Sequence, residues 1–402
     1  MQDNNNKINF VMISPNFPPT YYRFAQALKN RNINVLGLGD AYPHELSAEL
    51  KNALTDYIQC YSLFDMHNLI NCVQYYKDKY QHIDWIESNN EFWLEEDATL
   101  REWFNVRSGI FHSDILKYKA KSEMKKYFQE AGVKCAKFHL SDDFESTQKF
   151  AKQVGYPIFV KPNIGVGAAG THKINNDKEL QDFYEYKDDH QYIFEQYIDG
   201  TIYSFDGITN SKGEIIFKVC HKYLEVIDKM VHEDLDDAYF TFKKIPQRLD
   251  NIGKKVVKAF NIKSRCFHIE FFSLNKDIRG LGKKDDFIPL EVNMRPVGGY
   301  TPDLISIATS VSFYDVYADM IAYDENRQDM TKEKYFAMSV SRRDRLTYKH
   351  SFDEILEKYK NEIKNYGRYP KSISDAMGDT FFMGRFENLD DAMKFQEFIR
   401  EK

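Results

Sequence analysis

The sequence has few cysteines, little net charge and no long apolar run, and each shortage excludes a class of protein. The cysteines, Cys60, Cys72, Cys135, Cys220 and Cys266, are odd in number and include no Cys-x-x-Cys pair, which argues against a disulfide framework and a structural zinc site. The 55 basic and 61 acidic side chains leave a net charge of −6, which does not favour a nucleic-acid partner. No segment approaches the roughly eighteen apolar residues of a membrane span, and the polar start MQDNNNK lacks the apolar core of a signal peptide. We expect a soluble, cytoplasmic protein without a nucleic-acid or membrane partner.

The chain is long enough for several domains. Its 402 residues exceed what one hydrophobic core usually supports, so two or three domains are expected. KINFVMIS and NVLGLGD read as strands on either side of a helix from Tyr21 to Arg31, the start of an alternating α/β domain with a parallel sheet. HIDWIES is a later strand, and Glu87 at its carboxyl end is a candidate substrate contact. The pattern also predicts a helix from Ile115 to Ala131 and, near the C-terminus, strands KYFAMSVSRR and DTFFMGRFE before a helix capped by Asn388.

Two later segments carry oxygen ligands at strand spacing. In LEVNMRP, Glu291, Asn293 and Arg295 fall on one face of a strand while the apolar residues between them pack beneath. Glu270 in FHIEFF adds a second carboxylate, and His268 shares its face. Magnesium in nucleotide sites takes a few carboxylates together with phosphate oxygens, so this set suits a metal ion that arrives with a nucleotide. A half-buried strand with a polar outer face shows the same alternation, so both interpretations remain open.

A glycine-rich segment follows the apolar strand YPIFVKP. Gly165, Gly167 and Gly170 form a G-x-G-x-x-G pattern, but a dinucleotide site requires a helix after the third glycine. Here THKI reads as a returning strand, which places the glycines at the tip of a hairpin. Such a tip lays backbone N–H groups over phosphates, and Lys161 at the end of the first strand reaches a phosphate from below. An ordinary turn is the competing interpretation.

The segment YIFEQYIDG is the third candidate element. Its residues from Glu195 to Ile198 offer backbone hydrogen bonds to an adenine edge between apolar walls. Taken alone, the segment is more typical of an ordinary buried strand that ends in a glycine turn.

The order of these elements resembles a known family. The chain resembles the ATP-grasp carboxylate–amine and carboxylate–thiol ligases in the order of six elements. They are Lys121 in KSEMKKYFQEAGVKCAKF, Lys161, the glycine hairpin, EQYIDG, FHIEFF and EVNMRPVGG. The resemblance covers residues 115–325, and the stretch from Arg295 through GGYTPDLISIATSVSFYDVYADMI is similar to the subgroup of biotin carboxylase and the bacterial amino-acid ligases. Six separate elements in order make the resemblance specific.

The resemblance implies the fold and its boundaries. We expect a mixed α/β and α+β chain in which residues 1–114 form a Rossmann-like parallel domain that precedes the ATP-grasp domain. Residues 115–325 form that domain, with two α+β lobes that clamp a nucleotide and a small lobe at about 155–210. Residues 326–402 form a small C-terminal α+β subdomain.

The resemblance also implies site roles, residue by residue. The residues expected at ATP are Lys121, Lys161, Gly165, Gly167, Gly170, Glu195, Tyr197 and Ile198. Those expected to hold magnesium are Glu270, Glu291 and Asn293. Arg295 and Lys161 stabilise the transferred phosphate. Apart from the resemblance, the candidate substrate contacts are Gly298, Gly299, His268 and Glu87. One position departs from the family, because Ile202 stands where an acidic residue usually binds the ribose, and Asp206 on the same strand face is the candidate substitute.

The implied reaction transfers the γ-phosphoryl group of ATP to a substrate carboxylate and then joins the acyl group to an amine. ATP and Mg²⁺ are the implied cofactors, with Mn²⁺ as an alternative metal ion, and the substrates are a small-molecule carboxylate and an amine. A homodimer is expected from the same resemblance. The alternatives are a biotin carboxylase-type enzyme that activates bicarbonate and a nucleotide-binding regulatory protein without catalysis.

Overall fold

The computed structural model describes residues 7–141, 143–165, 170–224 and 236–402. Within these ranges the chain forms three β-sheets, two of four strands and one of eight. Gly167 of the predicted glycine hairpin lies outside the described residues. No helix in these ranges is long and apolar enough to cross a membrane.

A parallel sheet forms the N-terminal part of the chain, as the alternating pattern predicted. Its strands, in the spatial order β3-β2-β1-β4, are β1 Asn9–Ile13, β2 Asn34–Gly39, β3 Asp56–Gln59 and β4 Trp85–Glu87. The helices around it are α1 Tyr22–Lys29, α2 Ala48–Ala53, α3 Met66–Tyr80 and α4 Leu94–Phe104. Phe10 and Met12 of β1 face one apolar core while Val11 and Ile13 face another. Both faces of the sheet are therefore covered, as is usual for parallel strands.

Two helices, not the single predicted one, connect this sheet to the next lobe. They are α5 His112–Lys119 and α6 Lys121–Glu130, separated by Ala120. Ala120 has an extended backbone (φ −88°, ψ 114°) and forms a β-bridge with Ile164, beside the glycine hairpin. This long-range pairing overrides the local helix propensity and puts Lys121 in the first turn of α6.

A small antiparallel sheet follows. Its strands, in the order β5-β8-β6-β7, are β5 Phe138–Leu140, β6 Ile158–Pro162, β7 His172–Ile174 and β8 Tyr192–Gln196. Helices α7 Phe144–Val154 and α8 Asp177–Tyr186 cover it. Strands β6 and β7 pair antiparallel, with Val160 opposite His172, which confirms the predicted hairpin around the glycines.

The largest sheet positions the site. Its spatial order is β13-β12-β9-β10-β11-β14-β16-β15. The strands are β9 Gly200–Thr209, β10 Ile215–Tyr223, β11 Ala238–Thr241, β12 Arg265–Leu274, β13 Phe287–Asn293, β14 Phe336–Arg342, β15 Ile363–Arg368 and β16 Thr380–Phe386. The helices of this part are α9 Gln247–Ala259, α10 Thr301–Thr309, α11 Phe313–Tyr323, α12 Phe352–Lys358, α13 Lys371–Met377 and α14 Leu389–Arg400. Asn388 caps α14, as predicted.

The sheet crosses the domain boundary predicted at residue 325. Strand β11 pairs antiparallel with β14, where Ala238 lies opposite Val340. The C-terminal strands thus extend the same sheet that carries Glu270 and Glu291. The division into residues 1–114, 115–325 and 326–402 stays a prediction.

The two faces of the large sheet differ in chemistry near β12. Phe205, Phe267, Ile269 and Val292 lie in one buried core together with apolar residues of α6 and α9. The alternating residues of the same strands, among them Glu270, point to the other face. That polar face carries the candidate site.

Candidate functional site

Two antiparallel strands bring the predicted metal ligands together. Glu270 on β12 lies directly opposite Glu291 on β13, and His268 lies opposite Asn293. The Asn293 Nδ2 atom donates a hydrogen bond of 3.1 Å to Glu291 Oε1. Like charges that face each other across two strands are destabilising, so a cation bound between the carboxylates relieves their repulsion.

The donor set suits a hard cation that is only partly coordinated by protein. Among the described residues, no group of three or more His, Cys, Asp or Glu side chains is placed to hold a metal ion by itself. Glu270, Glu291 and the amide oxygen of Asn293 offer oxygen ligands, which Mg²⁺ prefers, and it usually completes its shell with phosphate and water oxygens. The residues present therefore fit a magnesium ion that comes with a nucleotide.

The two predicted nucleotide lysines lie beside the glycine hairpin. Lys121 Nζ donates to the carbonyl oxygen of Gly165 over 3.0 Å, and its backbone N–H donates to Asn163 over 2.9 Å. Lys121 and Lys161 are both buried. Burial lowers the pKa of Lys121, and the charge of Lys161 lowers it further while Glu291 opposes the shift.

The side chain of Glu195 pairs with two lysines beside the predicted adenine site. Its Oε1 lies 2.6 Å from Lys125 Nζ and its Oε2 lies 2.7 Å from Lys161 Nζ. Burial opposes ionisation of this carboxyl, but the two ammonium groups outweigh it and lower its pKa to about 2. Only the backbone of Glu195 is left for the adenine contact that the sequence suggested. Sequence reasoning missed Lys125, although it lies one helical turn after Lys121 on α6.

The residues after β8 form an apolar wall. Ile198 packs against a buried cluster of Leu274, Leu281 and Ile288. Lys173 Nζ lies 4.6 Å from the centre of the Tyr197 ring. At the far end of the glycine hairpin Gly170 has φ +72°, a backbone conformation that favours glycine.

Arg295 contacts a carboxylate that sequence reasoning missed. Its Nε lies 3.3 Å from Glu91 Oε2, and Glu91 is buried in the turn after β4. Burial raises the pKa of Glu91 to about 7, the charge of Glu291 adds to the shift, and Arg295 opposes it. Burial opposes ionisation of Glu291 as well, but Lys121 and Lys161 lower its pKa. The position of Glu91, four residues after Glu87 at the carboxyl end of β4, is the only sequence signal for it.

Glu87 itself is held between two arginines. Arg101 Nη2 lies 2.9 Å from its Oε2, and Arg265 contacts both of its oxygens at 2.9 Å. The side chain is buried, and although burial opposes ionisation, Arg265 and Arg101 lower its pKa. This pairing favours a structural role for Glu87 in place of the substrate contact suggested by the sequence.

The Gly298-Gly299 turn lies between the N-terminal part and the C-terminal region. The Gly298 carbonyl accepts the Thr301 N–H over 3.2 Å, so the turn leads directly into α10. The Gly299 carbonyl accepts Thr20 Oγ1 over 3.4 Å. Gly299 has φ +60°, and a Cβ there would lie 2.4 Å from Met377 Sδ. Only glycine fits this close approach without a shift of Met377.

His268 lies between two carboxylates. Its Nδ1 is 2.5 Å from Asp206 Oδ1 and its Nε2 is 3.2 Å from Glu270 Oε1. Burial disfavours the charged ring, but Asp206 outweighs it and, with Glu270, raises the pKa of His268 to about 9. This position suits a residue that orients Glu270. Because Asp206 is buried and bonded to His268, and Ile202 is buried, neither side chain is free to bind a ribose.

Comparisons with known proteins show which proteins the chain resembles. Residues 154–302 match the family described as the ATP-grasp domain. The L-arginine-specific L-amino acid ligase of Bacillus subtilis is 23% identical over 250 residues, which cover 60% of this chain and 58% of that protein. The carbamoyl phosphate synthase large chain of Sulfurisphaera tokodaii is 22% identical over 166 residues, 39% of this chain and 15% of that protein. The chain thus spans about 15% to 58% of the length of these relatives.

Solved structures match over nearly the whole chain. The L-amino acid ligase from Bacillus licheniformis has a TM-score of 0.70 at 15% identity, covering 97% of this chain and 96% of that one. N5-carboxyaminoimidazole synthetase from Staphylococcus aureus has a TM-score of 0.72 at 16% identity, covering 98% of both chains. The biotin carboxylase domain of Hydrogenobacter thermophilus 2-oxoglutarate carboxylase, solved with MgADP and bicarbonate, has a TM-score of 0.69 at 14% identity, covering 96% of this chain and 88% of that one. Residues 154–302 therefore match the ATP-grasp domain, and the chain as a whole shares the fold of these solved structures.

Proposed function

We propose that the protein is an ATP- and Mg²⁺-dependent ligase that activates a carboxylate as an acyl phosphate and joins it to an amine, releasing ADP and phosphate. The observation that carries the proposal is the pairing of Glu270 with Glu291 across two strands, with Asn293 bonded to Glu291. Lys121 and Lys161 lie close enough to this pair to lower the pKa of Glu291. Carboxylates, an amide oxygen and lysines together suit a metal-bound triphosphate.

The residues divide into three roles. Glu270, Glu291 and Asn293 hold Mg²⁺, which when bound neutralises phosphate charge and so favours attack by an anionic nucleophile. Lys121 and Lys161 bind the phosphates together with the backbone of the glycine hairpin. Arg295 stabilises the charge that develops on the transferred phosphoryl group and on the tetrahedral intermediate.

The proposed reaction has two steps, phosphoryl transfer to the donor carboxylate and acyl transfer to the amine. A carboxylate oxygen of the donor substrate attacks the γ-phosphorus of ATP, the bond to the β–γ bridging oxygen breaks, and ADP leaves with the electron pair. The amine nitrogen then attacks the acyl carbon, and the carbon–oxygen bond to phosphate breaks. One amine proton passes to a base, for which Glu91 is the candidate because its pKa is about 7 and it lies 3.3 Å from Arg295.

Phosphate release tests the proposal. Purified protein is screened with ATP, Mg²⁺ and pairs of amino acids, and product formation is followed together with ADP and phosphate. We expect turnover with at least one pair, and we expect Glu291→Ala and Arg295→Ala to lower it by at least about 10²–10³-fold, the usual effect of losing one transition-state donor. Their folds should stay intact by circular dichroism.

The exposed ion-pair residues Glu357 and Arg248 supply matched controls, because both lie outside the site. Glu357→Ala and Arg248→Ala are expected to keep wild-type turnover. Wild-type rates of ADP release from Glu291→Ala or Arg295→Ala would refute the assigned site.

Activation of bicarbonate is the second candidate reaction. The match to a biotin carboxylase domain solved with MgADP and bicarbonate favours it. ADP release that requires bicarbonate and biotin, and does not require an amino acid, would replace the amide-forming assignment. Heat protection by ATP and Mg²⁺ without phosphate release with any acceptor would instead identify a non-catalytic binder. The homodimer and the cytoplasmic location stay predictions.

A further inference from the structure

A buried polar network lies behind Glu270 on the site face of the large sheet. Asp206 on β9 accepts hydrogen bonds from three groups: His268 at 2.5 Å, His221 at 2.7 Å and Ser204 at 2.5 Å. His268 on β12 then reaches Glu270 Oε1 over 3.2 Å. All five residues are buried.

Strand register builds this network. His268 lies opposite Asp206 and Glu270 lies opposite Ser204 on the β12–β9 pair, while His221 lies opposite Ser204 on the β10–β9 pair. Side chains two residues apart on a strand share a face, so Asp206 and Ser204 point to the same side as Glu270. The network therefore follows three adjacent strands and ends at the candidate metal ligand.

The placement of His268 restricts how Glu270 is held. Both ring nitrogens face carboxylates, so the ring acts as a double donor between Asp206 and Glu270. One oxygen of Glu270, Oε1, is directed toward the ring, and the carboxylate is thereby fixed in rotation. Groups that orient metal ligands in this way usually matter about 10–100-fold for metal affinity.

We propose that Asp206 is a positioning residue that, through His268, fixes the carboxylate of Glu270 for binding a divalent cation. The inference rests on the proposed function, because it takes Glu270 as a ligand of that cation. It deepens that function by adding Asp206, His221 and Ser204 as the support of the metal site.

A purely structural role for Asp206 is the competing explanation. Asp250 offers a matched comparison, because it is also a buried aspartate of the same lobe and is paired with two lysines, Lys218 and Lys254. It lies on α9, whose apolar residues pack on the opposite face of the sheet. Asp250→Asn thus removes a paired buried charge without touching the network.

The test measures ADP binding by calorimetry, first in EDTA and then over a series of Mg²⁺ concentrations. For the wild type we expect Mg²⁺ to strengthen ADP binding. For Asp206→Asn we expect unchanged affinity in EDTA and an increase of about 10–100-fold in the Mg²⁺ concentration needed for half of the effect. For Asp250→Asn we expect the wild-type Mg²⁺ dependence. Mn²⁺ paramagnetic resonance in the presence of ADP gives the same comparison with the metal ion as the reporter.

A second pair of variants decides the matter if Asp206→Asn does not fold. His221→Asn keeps an N–H donor near the position of Nδ1 and should retain the wild-type Mg²⁺ dependence, whereas His221→Leu removes the donor and should shift it. Equal Mg²⁺ dependence in the wild type, Asp206→Asn and His221→Leu would overturn the positioning role of Asp206 but would leave the proposed metal site standing. Absence of any Mg²⁺ effect in the wild type would overturn the proposed metal site as well.

Discussion

Each glutamate near the site has its chemistry set by its neighbours. Glu87 is paired with two arginines and Glu195 with two lysines, so the pKa of each is lowered although burial opposes ionisation. Glu91 has one arginine at 3.3 Å, and burial raises its pKa to about 7. When carboxylates in one site have very different pKa values, they often have different roles, and those with a raised pKa often transfer protons. Glu91 is therefore the residue at which a proton transfer is best tested.

Replacing Glu91 with glutamine tests this role. A base acts in its ionised form, so wild-type kcat/KM for the amine should rise with pH through about 7, the pKa of Glu91. Glu91→Gln should lose about 10²–10⁴-fold in rate and should lose that rising limb. A pH–rate profile of both proteins, with the amine as the varied substrate, measures the effect.

Glu95→Gln serves as the control, because Glu95 lies four residues further on and forms an ion pair with Lys119 at the surface. It should keep the wild-type rate and pH profile. A Glu91→Gln variant with an unchanged rising limb would remove Glu91 from the mechanism.

At the scale of elements, one buried carboxylate joins three segments of the proposed nucleotide site. Glu195 on β8 pairs with Lys161 on β6 and with Lys125 on α6, and all three side chains are buried. Removing one partner of a buried ion pair leaves an uncompensated charge, which usually costs about 3–5 kcal/mol. The position of Lys161 and the docking of α6 thus depend on the same carboxylate.

Glu195→Gln should lower the free energy of unfolding by about 3–5 kcal/mol. The folded-state pKa of Glu195 is lowered from 4.5 to about 2, so its contribution is full above pH 4.5 and is lost as the pH falls toward 2. The difference between wild type and Glu195→Gln should therefore shrink over this interval. Urea unfolding at a series of pH values measures it.

Glu123→Gln on α6 provides the comparison, since Glu123 pairs with Lys126 at an exposed site. Surface ion pairs contribute about 0–1 kcal/mol, so this variant should be nearly as stable as the wild type. Equal free energies of unfolding for Glu195→Gln and Glu123→Gln would contradict the predicted contribution of Glu195 to stability.

At the scale of the whole molecule, contacts far apart in sequence hold the parts together. Arg31 near the end of α1 pairs with Asp315 and Asp319 of α11 at 2.7 and 2.6 Å. Residues of β1 and α1 share an apolar core with residues of α10 and α11. The large sheet in turn continues into the C-terminal region through β11 and β14.

A chain ending at residue 325 should not fold to a stable monomer. The cut exposes the edge of β11 and uncovers Ala238 and Phe240, which pack with Met338, Val340 and Phe382 in one core. An unpaired apolar strand edge favours aggregation. We expect loss of cooperative thermal unfolding and aggregated material on size exclusion. Removal of residues 401–402 alone, both exposed, should leave the unfolding transition cooperative. A monomeric, cooperatively folded 1–325 fragment would show that the C-terminal region is an independent unit.

Several features could be predicted from local patterns. Period-two alternation placed Glu291 and Asn293 on one face, and the return of an apolar strand after the glycines indicated a hairpin, which β6 and β7 form. The helix predicted through Ala120 was wrong, because Ala120 pairs with Ile164 and this pairing competes with the local propensity. Gly167 lies outside the described residues, so its predicted role is untested.

The sequence by itself determined which faces carry oxygen donors and in what order the candidate nucleotide-binding elements occur, because strand periodicity is a local property of the chain. Only the tertiary structure decided which groups meet. It placed Glu270 opposite Glu291, and it paired Glu87 with Arg265, which is 178 residues away in the sequence. It also gave Glu91 its neighbour Arg295 and gave Glu270 the support of His268 and Asp206. These contacts depend on strand pairing and domain packing, on which local spacing carries no information.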